Sequence, residues 1–420
     1  MPERAQLTFL QDGLTSLHNT LLAAAMRPFG YHVLPLPVPD QTAFNLGKEF
    51  CSRGQCNPVY YLGGNLIAYL RHLRDDVGLP TSQIIRDYAY LTAGSCGPCR
   101  LGTYIVEFRR ALREAGFDGF SILAIKPTDG LLQTVGPRGE LVMTPALARA
   151  LARAAVIGDV LMLVGHRLRP YETVPGACDE AIRACVVRVS RALSTGRSVL
   201  AALLTCRRTL RAVARDVARD KIKVAVIGEF WAATTEGHGS YDLKRYLEAA
   251  GVEVLAEPVV SRLLYMLWEK RWATRRHASL AEARAPSWRI LAALWLADRW
   301  LRGLFRWYAA LCGEPGLHLA DPDALASRSH PHYDVHLRGG EGHVEVANFL
   351  DFTEQPDVKL MISLKPFGCM PSSGLSDGIV RQLANLNPAT RFTALETTGD
   401  ASANFYSRVM LELQAISQYR

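Results

Sequence analysis

Three short stretches place cysteines in turns rich in Gly, Pro and Ser, and their thiols are the strongest chemical signal in the chain. The central stretch is Thr92-Ala93-Gly94-Ser95-Cys96-Gly97-Pro98-Cys99-Arg100-Leu101-Gly102. Upstream lies Cys51-Ser52-Arg53-Gly54-Gln55-Cys56-Asn57-Pro58, and far downstream Lys365-Pro366-Phe367-Gly368-Cys369-Met370-Pro371-Ser372-Ser373-Gly374. Thiolates are soft ligands that select zinc or iron–sulfur clusters over hard cations. Cys51, Cys56, Cys96 and Cys99 together could form a structural four-cysteine zinc site. One thiol from each of the three stretches could instead hold an iron–sulfur cluster. The Cys96-x-x-Cys99 pair alone would suit thioredoxin-like redox exchange. Spacing leaves all three chemistries open.

Other chemistry is weaker. Glu229, Glu236 and His238 lie just after an apolar run, in Gly228-Glu229-Phe230-Trp231-Ala232-Ala233-Thr234-Thr235-Glu236-Gly237-His238. They could do acid–base work, or the turn could simply cap a helix. His332 and His336 flank Asp334 and, on a strand, would share a face as surface or cleft polar residues. The sequence holds neither a Gly-x4-Gly-Lys-Ser/Thr phosphate loop nor a Gly-x-Gly-x-x-Gly fingerprint. Of the remaining cysteines, Cys185 and Cys206 fall in apolar helical runs and are expected in the core. Cys178 and Cys312 are undecided.

The elements that must position these residues follow from apolar spacing. An apolar run over 88–91 predicts a buried strand, and Leu101, Ile105, Phe108 and Leu112 predict a helix just after the central motif. Pro58 suits the first turn of a helix through Leu62, Leu66, Tyr69 and Leu73. A strand over 358–364 runs into the Cys369 turn, with a helix from about residue 375. Each cysteine turn thus precedes a helix start, and two of them follow a strand end directly. In open α/β sheets that is where ligands bind, and the backbone N–H groups there favour a thiolate.

Further strands are expected at 6–10, 32–38, 120–125, 223–227, 252–255 and 392–395, and helices at 14–26 and 241–250. Residues 143–220 are almost wholly helical in pattern, with breaks at Arg169-Pro170 and Pro175-Gly176. The expected class is α/β, with two parallel-sheet lobes joined by a helical segment. The divisions are 1–142 for the first lobe, 143–220 for a linking bundle and 221–420 for the second lobe. Residues 262–311, rich in Trp and Arg, are expected as a basic amphipathic helical hairpin packed on the second lobe.

The 420 residues carry a net charge of +8, mostly through Arg. Nucleic-acid binding would concentrate that excess on one element with interleaved aromatics, for which residues 262–306 are the best candidate; a packed or partner-docking face is expected there instead, and the remaining excess fits acidic small ligands or an acidic partner. No apolar run is long enough for a transmembrane helix. The start, Met1-Pro2-Glu3-Arg4, lacks the basic and apolar regions of a signal peptide, so a cytoplasmic location is expected, with reduced thiols.

Taken in order, several of these motifs resemble the 2-hydroxyacyl-CoA dehydratase superfamily, including its branch of 2-hydroxyglutaryl-CoA dehydratase homologues. The resemblance rests on Gly94 to Gly102, Cys56-Asn57-Pro58, Arg169-Pro170-Tyr171-Glu172, Gly228-Glu229-Phe230-Trp231 and Lys365 to Pro371, and spans essentially the whole chain. It implies two Rossmann-like lobes with a [4Fe–4S] cluster in the cleft between them. The ligands by position are Cys56, Cys96 or Cys99, and Cys369, with Cys51 as a further candidate. Gly94, Gly97, Pro98, Arg100 and Gly368 would line the cofactor, with Glu229, Glu236 and His238 as catalytic candidates.

The resemblance also implies a separate ATP-hydrolysing activator with its own iron–sulfur cluster, which delivers a low-potential electron. That electron enables dehydration of a 2-hydroxyacyl-CoA or reduction of a difficult substrate, as a lyase or as an ATP-dependent reductase component. A homologous subunit or a second copy could complete the assembly. A related branch carries a double-cubane cluster on six cysteines and reduces small molecules; the turns here hold five. The alternative from another class is an accessory metal protein, structural through zinc or relaying electrons, without catalysis of its own.

Overall fold

The computed structural model describes residues 7–94, 99–128, 131–135, 141–216, 218, 221–278, 287–337, 340 and 342–417. The first lobe comprises β1 (Thr8–Gln11), α1 (Ser16–Met26), β2 (His32–Pro35), α2 (Gln41–Phe50), α3 (Asn57–Arg71), α4 (Thr81–Asp87), β3 (Tyr88–Ala93), α5 (Tyr104–Glu114), β4 (Ser121–Thr128) and β5 (Leu131–Val135). A helical layer follows, with α6 (Pro145–Leu168), α7 (Ala177–Thr195) and α8 (Val199–Arg211). The second lobe begins with β6 (Lys223–Gly228), α9 (Phe230–Thr234), α10 (Leu243–Ala249) and β7 (Glu253–Ala256). The long helices α11 (Val259–Ala278) and α12 (Ser287–Cys312) come next, then α13 (Pro322–Ser329) and α14 (Gly342–Thr353). The chain closes with β8 (Val358–Pro366), α15 (Asp377–Leu386), β9 (Arg391–Thr397) and α16 (Ser402–Ser417).

The two lobes share one strand order. The first sheet runs β2-β1-β3-β4-β5 and the second β7-β6-β8-β9. All pairs are parallel except β4–β5, which is antiparallel and closes one edge of the first sheet. This is the two-lobed, doubly wound α/β architecture expected from the apolar strands, with the helical segment between the lobes. The near-continuous apolar runs suit parallel strands covered on both faces: Val224, Ala225, Val226 and Ile227 are all buried. In each sheet the chain goes first to one side and then to the other. The switch points lie between β1 and β3 and between β6 and β8, and the C-terminal ends of these strands are where ligands bind in such folds.

Two expectations meet a different arrangement. The segment from 333 to 336 is turn, not strand, so His332 and His336 share no strand face; the His336 ring instead lies 5.0 Å from Trp272. The Trp/Arg hairpin does not belong to the second lobe alone. The inner face of α12, with Leu301, Phe305 and Tyr308, joins Leu161, Cys185 and Cys206 in the core of the helical layer. On α11, Tyr265 and Trp268 pack against Val335 and Val344 of the second lobe. Helix α2, which was not among the expected elements, buries Ala43, Phe44 and Gly47 against α3.

That contact is close. A Cβ added at Gly47 of α2 or Gly64 of α3 would overlap the backbone carbonyl of Tyr60 or Ala43 on the opposing helix. Gly64→Ala is therefore expected to lower stability by about 2–3 kcal/mol or more, since neither backbone can yield. Gly303→Ala, with nothing within 4 Å of the new methyl, should be neutral or stabilising by up to about 1 kcal/mol in its helix. Urea unfolding of both variants checks the contrast.

Candidate functional site

The cysteine turns from both lobes meet at one seam. Cys56 is the N-cap of α3, with Pro58 in its first turn. Cys99 is the N-cap of a short 3-10 turn, Arg100–Thr103, that leads into α5. Cys369 is the N-cap of the wide turn Met370–Ser376 that leads into α15. Each therefore lies where backbone N–H groups point out of a helix start. Phe367, half exposed, and Met370, 42% exposed, flank the third thiol.

The contact between lobes is direct. The Asn57 backbone N–H donates to the Phe367 carbonyl at 3.0 Å. Its side-chain Nδ2 donates to the Thr397 carbonyl at 2.6 Å. Gly368 sits at φ +82°, and a Cβ there would lie 3.2 Å from both the Cys56 Cα and the Gln55 carbonyl oxygen. Only glycine lets the Cys369 turn approach Cys56 this closely. Within the first lobe, Arg100 donates from Nη1 to the Gly54 carbonyl, joining the central motif to the Cys56 turn. Gly94 extends the β3–β4 ladder through its N–H to the Ile125 carbonyl at 3.0 Å.

The thiols have distinct environments. Cys56 Sγ lies 3.0 Å from the Tyr104 hydroxyl. Burial pushes its titration up; the Tyr104 hydrogen bond opposes this, the Glu229 charge adds to it, and the Arg100 charge opposes it. Tyr104 itself is driven up, first by burial and then by Cys56, with Glu229 and Cys99 contributing. Cys56, Cys99, Tyr104, Arg100 and Glu229 thus form one electrostatic group. Glu229 also N-caps α9, accepting from the Ala232 N–H at 2.9 Å.

Cys51 is placed elsewhere. It ends α2, and its Sγ points at the Val59 carbonyl at 3.9 Å and lies against Gly63 inside the first-lobe core. Burial, then the Glu107 charge, push it up to about 12, as befits a thiol that stays protonated. Cys185 and Cys206 are core thiols, as their helical setting predicted, each Sγ donating to the other residue's carbonyl at 3.9 Å. Cys178 and Cys312 are buried too, and no disulfide joins the described cysteines. Cys96, Gly97 and Pro98 lie outside the described residues. Among the described residues, no group of three or more His, Cys, Asp or Glu side chains is spaced to hold a metal ion.

Two of the acid–base candidates act as bolts between lobes. Glu236 accepts from the Ser16 N–H at 2.9 Å and from its hydroxyl at 2.8 Å. His238 Nδ1 pairs with the Tyr61 hydroxyl at 2.8 Å, and burial holds its titration below the usual histidine range. The turn after Cys369 has its own anchor, unseen in the sequence. Glu345 is buried and accepts from Ser363 at 2.5 Å, from Ser372 at 2.9 Å and from Ser376. Lys365, buried beside it, donates to Asp377 at 2.6 Å. Tyr104 and Glu345 carried no sequence signal as site residues, and Asn57 was marked only as part of the Cys56-Asn57-Pro58 motif. Their side chains gain partners only when separate elements come together.

Fold and site define a two-lobed α/β protein with thiol-bearing helix caps at the seam between its lobes. No model of a known protein family matches the chain, and no curated protein matches it either.

The Tyr104 hydroxyl stabilises the charged form of Cys56, so removing it must raise the Cys56 pKa and leave less thiolate at a given pH. Tyr104→Phe should slow alkylation of Cys56 in metal-free protein by about three- to tenfold, the worth of one such hydrogen bond. Peptide-resolved mass spectrometry at fixed pH checks it. An unchanged or faster rate would show that the hydroxyl does not act on this thiol.

Proposed function

We propose that the chain is an iron–sulfur protein of the 2-hydroxyacyl-CoA dehydratase type, with the cluster at the seam between lobes. The observation that carries this is the meeting there of two helix-capping cysteine turns from different lobes, fixed by the Asn57–Phe367 hydrogen bond and the Gly368 approach. The ligands are Cys56, Cys369 and a thiol of the central motif, Cys99 or Cys96. Helix starts favour thiolates, and the Arg100 charge and the Tyr104 hydrogen bond both favour the charged form of Cys56. Because the described thiols are not themselves at metal spacing, loading requires Cys96 or a side-chain rotation at one of the others.

When bound, such a cluster supplies one-electron chemistry. The chain's own residues hold the thiols, exclude water through the buried seam and place Glu229 beside Cys56. With no nucleotide-phosphate motif in the sequence, ATP hydrolysis belongs to a separate activator carrying its own cluster. The substrate is a 2-hydroxyacyl-CoA or another compound that is hard to dehydrate or reduce. A zinc site made of Cys51, Cys56, Cys96 and Cys99 is the competing assignment, and the inward position of Cys51 weighs against it.

Anaerobic purification followed by iron, sulfide and zinc analysis tests the proposal. About four irons and matching sulfide per chain are expected; stoichiometric zinc without sulfide would refute it. Cys56→Ala and Cys369→Ala should each fold and lose most of the iron. Cys51→Ala and Cys185→Ala should keep it, with lower stability from the small cavity left behind. Retention of full metal by Cys369→Ala, with loss in Cys51→Ala, would assign the local four-cysteine site instead.

A further inference from the structure

Helix α12 has two unlike faces. Its inner face buries Leu294, Leu301, Phe305 and Tyr308. Its outer face exposes Trp288 at 65%, Trp295 at 51%, Trp300 at 40% and Trp307 at 50%. By helical rise the four indoles span about 29 Å, and at 3.6 residues per turn Trp288 and Trp295 share one stripe while Trp300 and Trp307 share another about 120° round the helix. Leu296, at 59% exposed, lies between the two stripes. Most exposed apolar residues on a protein occur singly and need no explanation, but several large ones gathered on one helix face mark a binding surface.

The charges on this face have one sign. Arg289, Arg299 and Arg306 are exposed among the indoles. Two of these guanidinium groups stack on neighbouring rings, Arg289 at 5.4 Å from Trp288 and Arg299 at 6.0 Å from Trp295. The sole acidic residue of α12, Asp298, is fully buried and bonded to Arg302 at 2.6 Å. Helix α11, packed alongside, exposes Arg275 and Arg276 and adds to the same sign.

We propose that the outer face of α12 binds the surface of an anionic lipid bilayer, lying in the headgroup layer without crossing it. Indoles favour the boundary between headgroups and acyl chains, where the ring is buried and the N–H stays wet. Arginines interleaved with them meet lipid phosphates, and basic amphipathic helices of this kind lie in the interface plane. A convex helix face with indoles on two stripes suits a fluid surface, which closes around it. A protein partner would need a matching series of pockets, and such interfaces carry about one hydrogen bond per 100–200 Å². The exposed indoles and guanidinium groups of this face offer donors and no acceptors, which matches lipid phosphates. No helix among the described residues is long and apolar enough to span a membrane, so surface attachment is the mode that fits.

The test uses the full chain and vesicles of equal parts phosphatidylglycerol and phosphatidylcholine, beside vesicles of phosphatidylcholine alone. The expected result is sedimentation with the anionic vesicles only, a blue shift of tryptophan emission on binding, and release as salt rises. Trp295→Ala with Trp307→Ala should weaken partitioning by roughly a hundredfold. Arg289→Glu with Arg299→Glu should abolish the preference for anionic lipid. Leu411→Glu, at an exposed site on α16, should change nothing. All these positions are exposed, so circular dichroism of each variant should match the parent.

Three outcomes would overturn the proposal. One is absence of binding to anionic vesicles. Another is self-association without lipid that the tryptophan substitutions dissolve, which would make the face an interface between copies of the chain. The third is salt-resistant binding to random duplex that the arginine substitutions remove.

Discussion

Everything at the seam depends on Asn57. Its backbone N–H and its side-chain amide reach carbonyls on two successive strand ends of the other lobe, Phe367 and Thr397. The residue is fully buried, so losing either bond would leave a polar group stranded in the interior, at a cost of about 1–3 kcal/mol. These bonds are directional, whereas the apolar contact around them is not. Phe44, Tyr61, Trp231 and Ala232 form one continuous core across the two lobes. That core would tolerate a sliding motion; the Asn57 bonds and the Gly368 contact oppose it at the cysteine turns, as the Glu236–Ser16 and His238–Tyr61 bonds do elsewhere along the seam. The position of Cys56 relative to Cys369 follows from this constraint.

The shared strand order gives the seam its chemical character. Both sheets present their switch points toward helix starts, and cysteine caps appear in both lobes. Partial positive charge from several helix starts is thereby directed into one region. Without a metal, burial outweighs it, and Cys56 is pushed toward the protonated thiol. A bound cation would reverse that balance, because metal binding takes up the thiolate and releases the proton. Glu229 adds a negative charge that raises the Cys56 thiol further, the Arg100 charge opposes it, and the Glu229 carboxylate is itself held by the Ala232 N–H at 2.9 Å.

The helical layer is more than a spacer. Asp159, buried on α6, accepts from the Val259 and Val260 N–H groups at 2.7 and 2.8 Å and so caps the start of α11. The same carboxylate pairs with His18 of α1 at 3.1 Å. One side chain therefore ties first lobe, helical layer and the hairpin together. A second buried group, Glu248 of α10, ties the second lobe to the helical layer through Arg169 and His166 at 2.5 Å each. The inner face of α12 is fixed by its own packing, with Leu301, Phe305 and Tyr308 in the core of the helical layer and the Tyr308 hydroxyl accepting from Arg153 at 3.0 Å, which leaves the tryptophans outward.

Local signals in the chain were enough to place the parallel strands and the helices that follow the cysteine turns, but not α2, α4, β5, α13, α14 or α16. Apolar runs at β3, β6 and β8 are continuous because both faces of a parallel strand are covered, and that can be read without a structure. Pro58 at a helix start, the Gly/Pro turns and the core setting of Cys185 and Cys206 are likewise properties of a few neighbouring residues. Which thiols share a site is not. Cys51 and Cys56 sit in similar sequence surroundings. Both are buried in the same core cluster, yet at the end of α2 Cys51 faces the Val59 carbonyl, while at the start of α3 Cys56 meets the Tyr104 hydroxyl and the Gly368 turn of the other lobe. Glu236 and His238 looked like cleft chemistry because their partners, Ser16 and Tyr61, lie some two hundred residues away in the chain. The face of α12 shows the same limit. The sequence alone determined that α12 is amphipathic, but only tertiary packing decided which face the core would take, and the indoles were left outside.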